Sequence, residues 1–358
     1  MTTRSALPTL LALACLASLP SRALALDVKG TVSLQYDWAD FSGGRADNGT
    51  EENIRRARLG ANLVQGPLDL RVEYDLKSDI WTDAFLRWSP GKGHSLRIGQ
   101  FKQPVYLDEL TSDRVTVFME QALPGALGIG RRLGIGYDWS GGNWTATVTG
   151  FGQDLSGLNA GRGWAGRLVW LPWRDEHGFL HLAASTAWQD LDVPIGRFAA
   201  RPEAALYPRR LVDTGALTGV EAVARNGFEA AWVRGSWLVQ SEYLRGRYDR
   251  PVGDFVGGGW YAQASWLSGG AQRGWRNGTI DGPKVEDGSV FELGARISDI
   301  DLDDGAIAGG NQRNLGIGAT WWLSSGVRVM ANYIDVDSTR RGIDDDPRII
   351  ELRVQLSL

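Results

Sequence analysis

The sequence predicts an all-β protein, an antiparallel transmembrane β-barrel of about sixteen strands, and three observations carry that expectation. An export-type segment opens the chain, short segments of alternating polarity fill the rest, and tryptophans collect at one end of those segments. Composition agrees: 47 glycines, 16 tryptophans and 43% hydrophobic residues, with no run of about 18 apolar residues after the first segment, suit neither a soluble enzyme nor a helical membrane protein. A net charge of −4 lacks the basicity of a nucleic-acid binder, so no nucleic-acid partner is expected.

The export segment comes first. Arg4 precedes an apolar run from Leu7 to Leu19, and Ala23-Leu24-Ala25 offers the small residues of a signal-peptidase site. The run is too short for a span of roughly 20 residues, so residues 1–25 read as a cleaved secretory signal and Leu26 as the mature start. Cys15, the only cysteine, lies inside the run, which leaves residues 26–358 without disulfides or thiolates. No linker divides them, so they read as one barrel domain.

Period-two alternation marks sixteen strands near 28–39, 53–64, 68–77, 80–90, 94–102, 131–139, 143–152, 162–173, 178–189, 225–234, 236–249, 257–268, 289–299, 311–323, 326–337 and 347–357. In the third, Leu68, Leu70, Val72, Tyr74 and Leu76 share one face, while Asp69, Arg71, Glu73 and Asp75 share the other. In the last, Ile350, Leu352, Val354, Leu356 and Leu358 oppose Glu351, Arg353 and Gln355. The charged face must look inward, because an arginine facing lipid at mid-depth costs about 2–4 kcal/mol.

An even strand count with both termini on the periplasmic side requires short turns to alternate with longer outer loops. Short connections recur at Gln65-Gly66-Pro67, Gly91-Lys92-Gly93, Gly141-Gly142-Asn143, Gly235 and Ser324-Ser325-Gly326, and the long ones near 103–130 and 190–224 fall at the opposite end. Residues 269–288 break the rule, with a long connection where a short turn is due. Trp88, Trp139, Trp170, Trp173, Trp232, Trp266, Trp321 and Trp322 close descending strands, and Trp144 and Trp237 open the next ones. That places an aromatic girdle at the periplasmic interface.

Enzymatic signals are poor. Gly161, Gly163 and Gly166 match the dinucleotide fingerprint, but that motif needs a strand before it and a helix after it, and here a strand follows. His94, His177 and His181 have no third ligand or nucleophile beside them, so no catalytic residue, metal or cofactor is expected. Parity turns Arg56 and Arg58 inward and sets Arg55 against them. It also turns inward Arg71, Arg87, Arg97, Arg132, Arg167, Arg296, Arg328 and Arg353, with Asp69, Glu73, Asp75, Asp83, Asp138, Glu229, Glu242, Glu292 and Glu351. The two signs nearly balance, so the wall by itself is equally that of an unselective water-filled lumen.

Asn53-Ile54-Arg55-Arg56-Ala57-Arg58-Leu59-Gly60, Val72-Glu73-Tyr74-Asp75, Asp83-Ala84-Phe85-Leu86, Ile98-Gly99-Gln100-Phe101-Lys102, Leu110-Thr111-Ser112, Phe118-Met119-Glu120 and Arg131-Arg132-Leu133-Gly134 together resemble the phosphate-selective porin O/P family of Gram-negative outer membranes. Glu229-Ala230-Ala231-Trp232, Tyr261-Ala262-Gln263-Ala264-Ser265 and Met330-Ala331-Asn332-Tyr333 extend the resemblance over almost the whole chain after residue 25. It implies a homotrimer in outer-membrane lipid, with an inward-folded third loop and a basic constriction that passes phosphate, polyphosphate or other small anions. Carried over by position, the family's basic residues fall on Arg56, Arg58, Lys102 and Arg114, with Arg132 the further base expected near the narrowing. Tyr106 departs from the lysine of phosphate-specific members, and Leu358 from the usual terminal aromatic. A general or organic-anion porin, and an outer-membrane enzyme, are the alternatives to that reading.

Overall fold

The computed structural model describes residues 25–45, 48–286 and 288–358; residues 1–24, the body of the expected signal, lie outside them. Sixteen long strands form the wall: β1 Asp27–Ser42, β2 Gly49–Gln65, β3 Leu68–Asp75, β4 Ile80–Gly91, β5 His94–Lys102, β6 Arg131–Gly141, β7 Trp144–Phe151 and β8 Arg162–Asp175, followed by β9 Gly178–Asp190, β10 Ala222–Arg234, β11 Trp237–Asp249, β12 Phe255–Leu267, β13 Val290–Asp304, β14 Ile307–Trp322, β15 Val327–Arg340 and β16 Arg348–Ser357. Every expected strand is present. Each pairs antiparallel with its sequence neighbours, and β16 returns to β1 with Leu34 opposite Leu356 and Phe41 opposite Ile349, so the sheet has no edge. The residue after the last strand joins the closure, because Val32 and Leu358 exchange both backbone hydrogen bonds at 3.0 and 3.1 Å.

Burial alternates as the pleat requires. Ile350, Leu352 and Val354 are 46, 44 and 55% exposed on the outside, while Glu351, Arg353 and Gln355 between them are buried inside. Trp88, Trp144, Trp170, Trp232, Trp237, Trp266 and Trp321 are exposed on the outer surface, as a girdle needs. Trp322 is the correction: it is buried in the lumen, donates from Nε1 to Glu292 at 3.1 Å, and lies under Arg328.

Turns at the termini's end are tight, and Gly235 (φ 52°) adopts the left-handed conformation that a two-residue turn demands. The opposite end is less uniform than expected, since residues 305–306 connect β13 and β14 almost as tightly. The exception at 268–289 has a structural reason. Arg273–Arg276 and Thr279–Pro283 pair as a small hairpin, and Arg273 makes a buried ion pair with Glu292 of β13 at 2.7 Å.

Three segments, 103–130, 191–221 and 268–289, pack against the inner wall. Val105, Tyr106, Leu123 and Leu127 of the first and Phe198, Val212 and Leu217 of the second share one apolar cluster with Val223, Tyr248, Phe255, Tyr261 and Ile300 of the wall. A second cluster joins Leu107, Val117 and Phe118 to Ile280 of the hairpin and to Phe179, Val233 and Leu238. The β7–β13 side is thereby filled like a protein interior. A third cluster packs Ala204, Tyr207 and Leu211 on Phe41 of β1, Ile334 of β15 and Ile349 of β16, and polar and charged groups dominate the inner face from β2 to β6.

Candidate pore constriction

Segment 103–130 leaves the rim after Lys102 and is pinned at both ends by wall side chains. Its α-helical turn, Leu107–Leu110, exposes N–H groups that cannot bond within so short a helix. Glu242 of β11 accepts them from Leu107 at 2.6 Å and Asp108 at 2.9 Å. Farther along, Phe118 lies in a niche made by Gly294, Gly316 and Gly318, where a Cβ at residue 318 would come within 3.2 Å of its ring, and the Arg296 guanidinium caps the ring at 4.2 Å. Glu203 of segment 191–221 accepts from Leu123 N–H at 2.9 Å and pairs with Arg296 at 2.6 Å, tying the two segments together.

The carbonyls of the segment turn toward three wall arginines and Arg273 of the hairpin. Arg328 donates to Thr116 at 2.7 Å and Asp113 at 2.8 Å, Arg353 to Met119 at 2.6 Å, Arg273 to Val115 at 2.7 Å, and Arg225 to Leu127 at 2.7 Å. Two of its acidic side chains, Asp113 and Glu120, turn the other way, toward β2. Asp113 receives Arg56 Nε at 3.0 Å and Arg58 Nη1 at 2.7 Å. Glu120 receives Arg55 through two bonds of 2.9 Å and Arg353 at 2.7 Å.

The sequence-derived residues divide into three groups. Arg56, Arg58 and Arg114 come together around Asp113, Asp75 and Glu73, with Arg58 to Asp75 and Arg114 to Glu73 each at 3.0 Å. Lys102 sits beside them, its ammonium held by the carbonyls of Glu109 and Thr111, the latter at 3.3 Å, and 3.9 Å from the Glu109 carboxylate. Arg132 shares no hydrogen bond or ion pair with this cluster, and its buried Nε has no partner among the described residues. Tyr106 is buried against Tyr261 in the loop's own core.

Alternation misplaced Arg55. The β1–β2 register shifts between Gln35 and Tyr36, which face Arg56 and Ile54 in turn and leave Arg55 as the extra residue of a bulge. The bulge swings Arg55 to the same side as Arg56, where it meets Glu120. Neither Asp113 nor Glu120 stood out as a partner, because a carboxylate in a long loop has no periodicity to fix its direction. Arg131 was equally missed: it pairs with Asp83 at 2.8 Å, and Arg71 reaches the same carboxylate at 3.3 Å.

Electrostatics bind the loop to the wall. Burial pushes the Asp113 carboxyl up, but the charges of Arg56, Arg58, Lys102 and Arg131 outweigh it and hold the group well below the usual carboxylate range. Glu120 behaves alike: burial raises it, and Arg55, Arg353 and Arg56 bring it below its ordinary value. Beyond Lys102 and Leu110 lies a cavity of about 700 Å³, between the β3–β8 wall and the hairpin.

A closed antiparallel barrel of this size, apolar outside, girdled with tryptophan and polar within, is an outer-membrane porin. The chain belongs to the phosphate-selective porin O and P family, whose model matches residues 28–358. An uncharacterized protein of Caulobacter vibrioides is 29% identical over 338 residues, covering 85% of this chain and 67% of its own length. Among solved structures, the anion-selective porin from Comamonas acidovorans superposes with a TM-score of 0.62 at 14% identity, over 93% of this chain and 100% of that one. The outer membrane channel DcaP of Acinetobacter baumannii gives 0.59 at 9% identity, over 95% and 99%. In vitro folded OmpT of Vibrio cholerae, in its trimer form, gives 0.60 at 12% identity, over 93% and 100%. Family and barrel together indicate a channel rather than an enzyme.

Proposed function

We propose that the protein is a passive outer-membrane channel for anions, with phosphate or polyphosphate as the leading solutes and segment 103–130 as the constriction. The observation that carries this reading is the position of Asp113, whose carboxylate is held between Arg56 and Arg58 at 3.0 and 2.7 Å. Guanidinium groups that receive a fixed carboxylate so closely have the donor geometry for a mobile oxyanion. Arg55, Lys102 and Arg114 extend the basic strip along the loop, while Asp113, Glu120 and Glu73 keep any one anion from being held too firmly to leave. The names of the family and of the Comamonas neighbour point the same way. Arg132, set apart from the strip, has no part in it.

Assembly belongs to the same reading. Ala57 and Ala61 share the outward parity of Leu59, and Ala84 that of Leu86, so the early strands offer small side chains suited to a flat contact between subunits of a homotrimer. Export through a signal cleaved before Leu26 would deliver the chain to the membrane.

Planar-bilayer recording tests the reading. Phosphate should reduce the chloride current of single channels in a saturable way, and Arg56→Gln with Arg58→Gln should weaken that block about tenfold or more, since a hydrogen bond to a charged group is worth about 1.5–3 kcal/mol. A block that does not saturate, or one untouched by both substitutions, would remove phosphate from the assignment.

A further inference from the structure

The cavity beneath the constriction has a composition unlike the strip above it. Its cations are mostly committed. Arg97 is gripped by both oxygens of Asp138 at 2.7 and 2.8 Å, Arg167 is held by Glu229 and by the carbonyl of Gly278 at 2.9 Å, and Lys102 is spent on loop carbonyls. Arg71 and Arg276 lie 3.3 and 3.2 Å from Asp83 and Asp281, and Arg87 is the most loosely held. Its carboxylate partner, Asp69, is 3.7 Å away, and its Nε has no hydrogen-bond partner at all among the described residues.

The cavity is lined mostly by polar and charged side chains, and its apolar groups lie at Phe85, Phe101, Leu110, Val115 and Ile280. Phe85 lies under its guanidinium at 5.4 Å and meets Phe101 edge-on at 6.1 Å. Leu110 and Val115 of the constriction segment and Ile280 of the hairpin line the same space. The hairpin makes this a chamber, because Arg273 to Glu292, Arg167 to Gly278, and the Trp275 indole donating to His181 Nδ1 at 3.1 Å hold it across the lumen. A volume near 700 Å³ falls within the range of small-molecule sites, about 300–1,000 Å³. A hydrated phosphate dianion needs several donors to replace its water, and one uncommitted guanidinium beside phenylalanine and leucine does not supply them.

We propose that this chamber is a second site, specific for organic anions that carry a carboxylate on an aromatic ring, with Arg87 receiving the carboxylate and Phe85, Leu110 and Ile280 receiving the ring. The site rests on the reading of the chain as an anion channel, and is independent of whether phosphate is its solute. It makes the periplasmic hairpin part of the selectivity apparatus, since Ile280 is its contribution to the apolar wall.

The probes are benzoate, acetate and phosphate, added to the periplasmic side of the full mature chain in planar bilayers carrying chloride. Benzoate should interrupt the current at roughly one-tenth the concentration of acetate, the gain expected from burying part of a ring. Arg87→Gln should abolish the benzoate block, and Leu110→Ser should bring benzoate and acetate close to equal potency. Arg87→Lys, which keeps the charge and loses the fork, should weaken the benzoate block several-fold and serves if the glutamine variant does not fold. Equal potency of benzoate and acetate in the native channel, or a benzoate block that survives Arg87→Gln, would overturn the proposal. Phosphate competition is read in the same membranes, so its loss with the benzoate block intact would remove the phosphate reading alone.

Discussion

In the proposed channel, Asp113 and its two arginines set the behaviour of the constriction at the scale of single residues. A carboxylate occupying the donors that a passing anion needs is a built-in competitor, and removing its charge should release them. Asp113→Asn is therefore expected to strengthen phosphate block by about tenfold and to shift the reversal potential toward anion preference, at some loss in how firmly the loop is held. Lys102→Glu and Arg114→Glu are expected to act in the opposite sense. Arg114→Glu places a second carboxylate where Glu73 now receives a guanidinium at 3.0 Å, so phosphate block should fall and cation permeability rise. Unchanged ion preference in both glutamate variants would sink the assignment of this strip. The pH dependence has a definite sign. A carboxyl held below its ordinary value stabilises the docked loop at every pH above that value, and the contribution is lost only as pH falls through the depressed one. The contribution of Asp113 to loop docking should therefore not change between pH 7 and about 4, and any change in ion selectivity over that range should persist in Asp113→Asn.

At the scale of elements, the constriction segment is held by shape as well as charge. Gly294, Gly316 and Gly318 leave room for Phe118, and a valine at 318 would intrude on its ring. Gly318→Val should expel Phe118, cost about 1–3 kcal/mol in packing and give larger, noisier single-channel currents, while a silent substitution would show that the niche does not anchor the loop. The strands themselves were legible in the sequence because each has one face that must be apolar and one that cannot be. What alternation could not show was where it breaks. The bulge at Arg55 inserts a residue without any glycine or proline to announce it, and Trp322 reverses the expectation for its pair because it continues the pleat while Glu292 and Arg328 offer it an inward partner. The hairpin at 273–283 was visible as excess length only. Its docking depends on Glu292, Arg167 and His181, which are remote in sequence and carry no common pattern.

At the scale of the whole molecule, the loop, the wall and the closure of the sheet form one ion-paired system. Arg353 of β16 is fully buried and pairs with Asp37 of β1 across the junction of first and last strands, at 2.6 and 2.7 Å, while also holding Glu120. Arg353→Met should lower the temperature at which the folded barrel loses its compact gel mobility, because removing one partner of a buried pair leaves the other charges uncompensated at a cost of about 3–5 kcal/mol. An unchanged transition would mean that the junction is held by backbone pairing alone. Native mass measurement in mild detergent should find three chains, and a monomer at every concentration would count against the homotrimer.

That same arginine links two events that are usually considered apart. Until the final strand arrives, Asp37 and Glu120 lack a cation that both now share, and Gln355, which donates to the carbonyl of Arg114 at 3.1 Å, is absent too. The filter therefore reaches its finished shape in the step that seals the cylinder. A chain cut short before β16 would not be a selective pore with a slit in its side; it would be an unsealed sheet with an unset filter, recognisable as defective on both counts. If the proposed filter is the working one, completeness and selectivity are acquired together, and an outer membrane containing only sealed copies contains only copies that can discriminate.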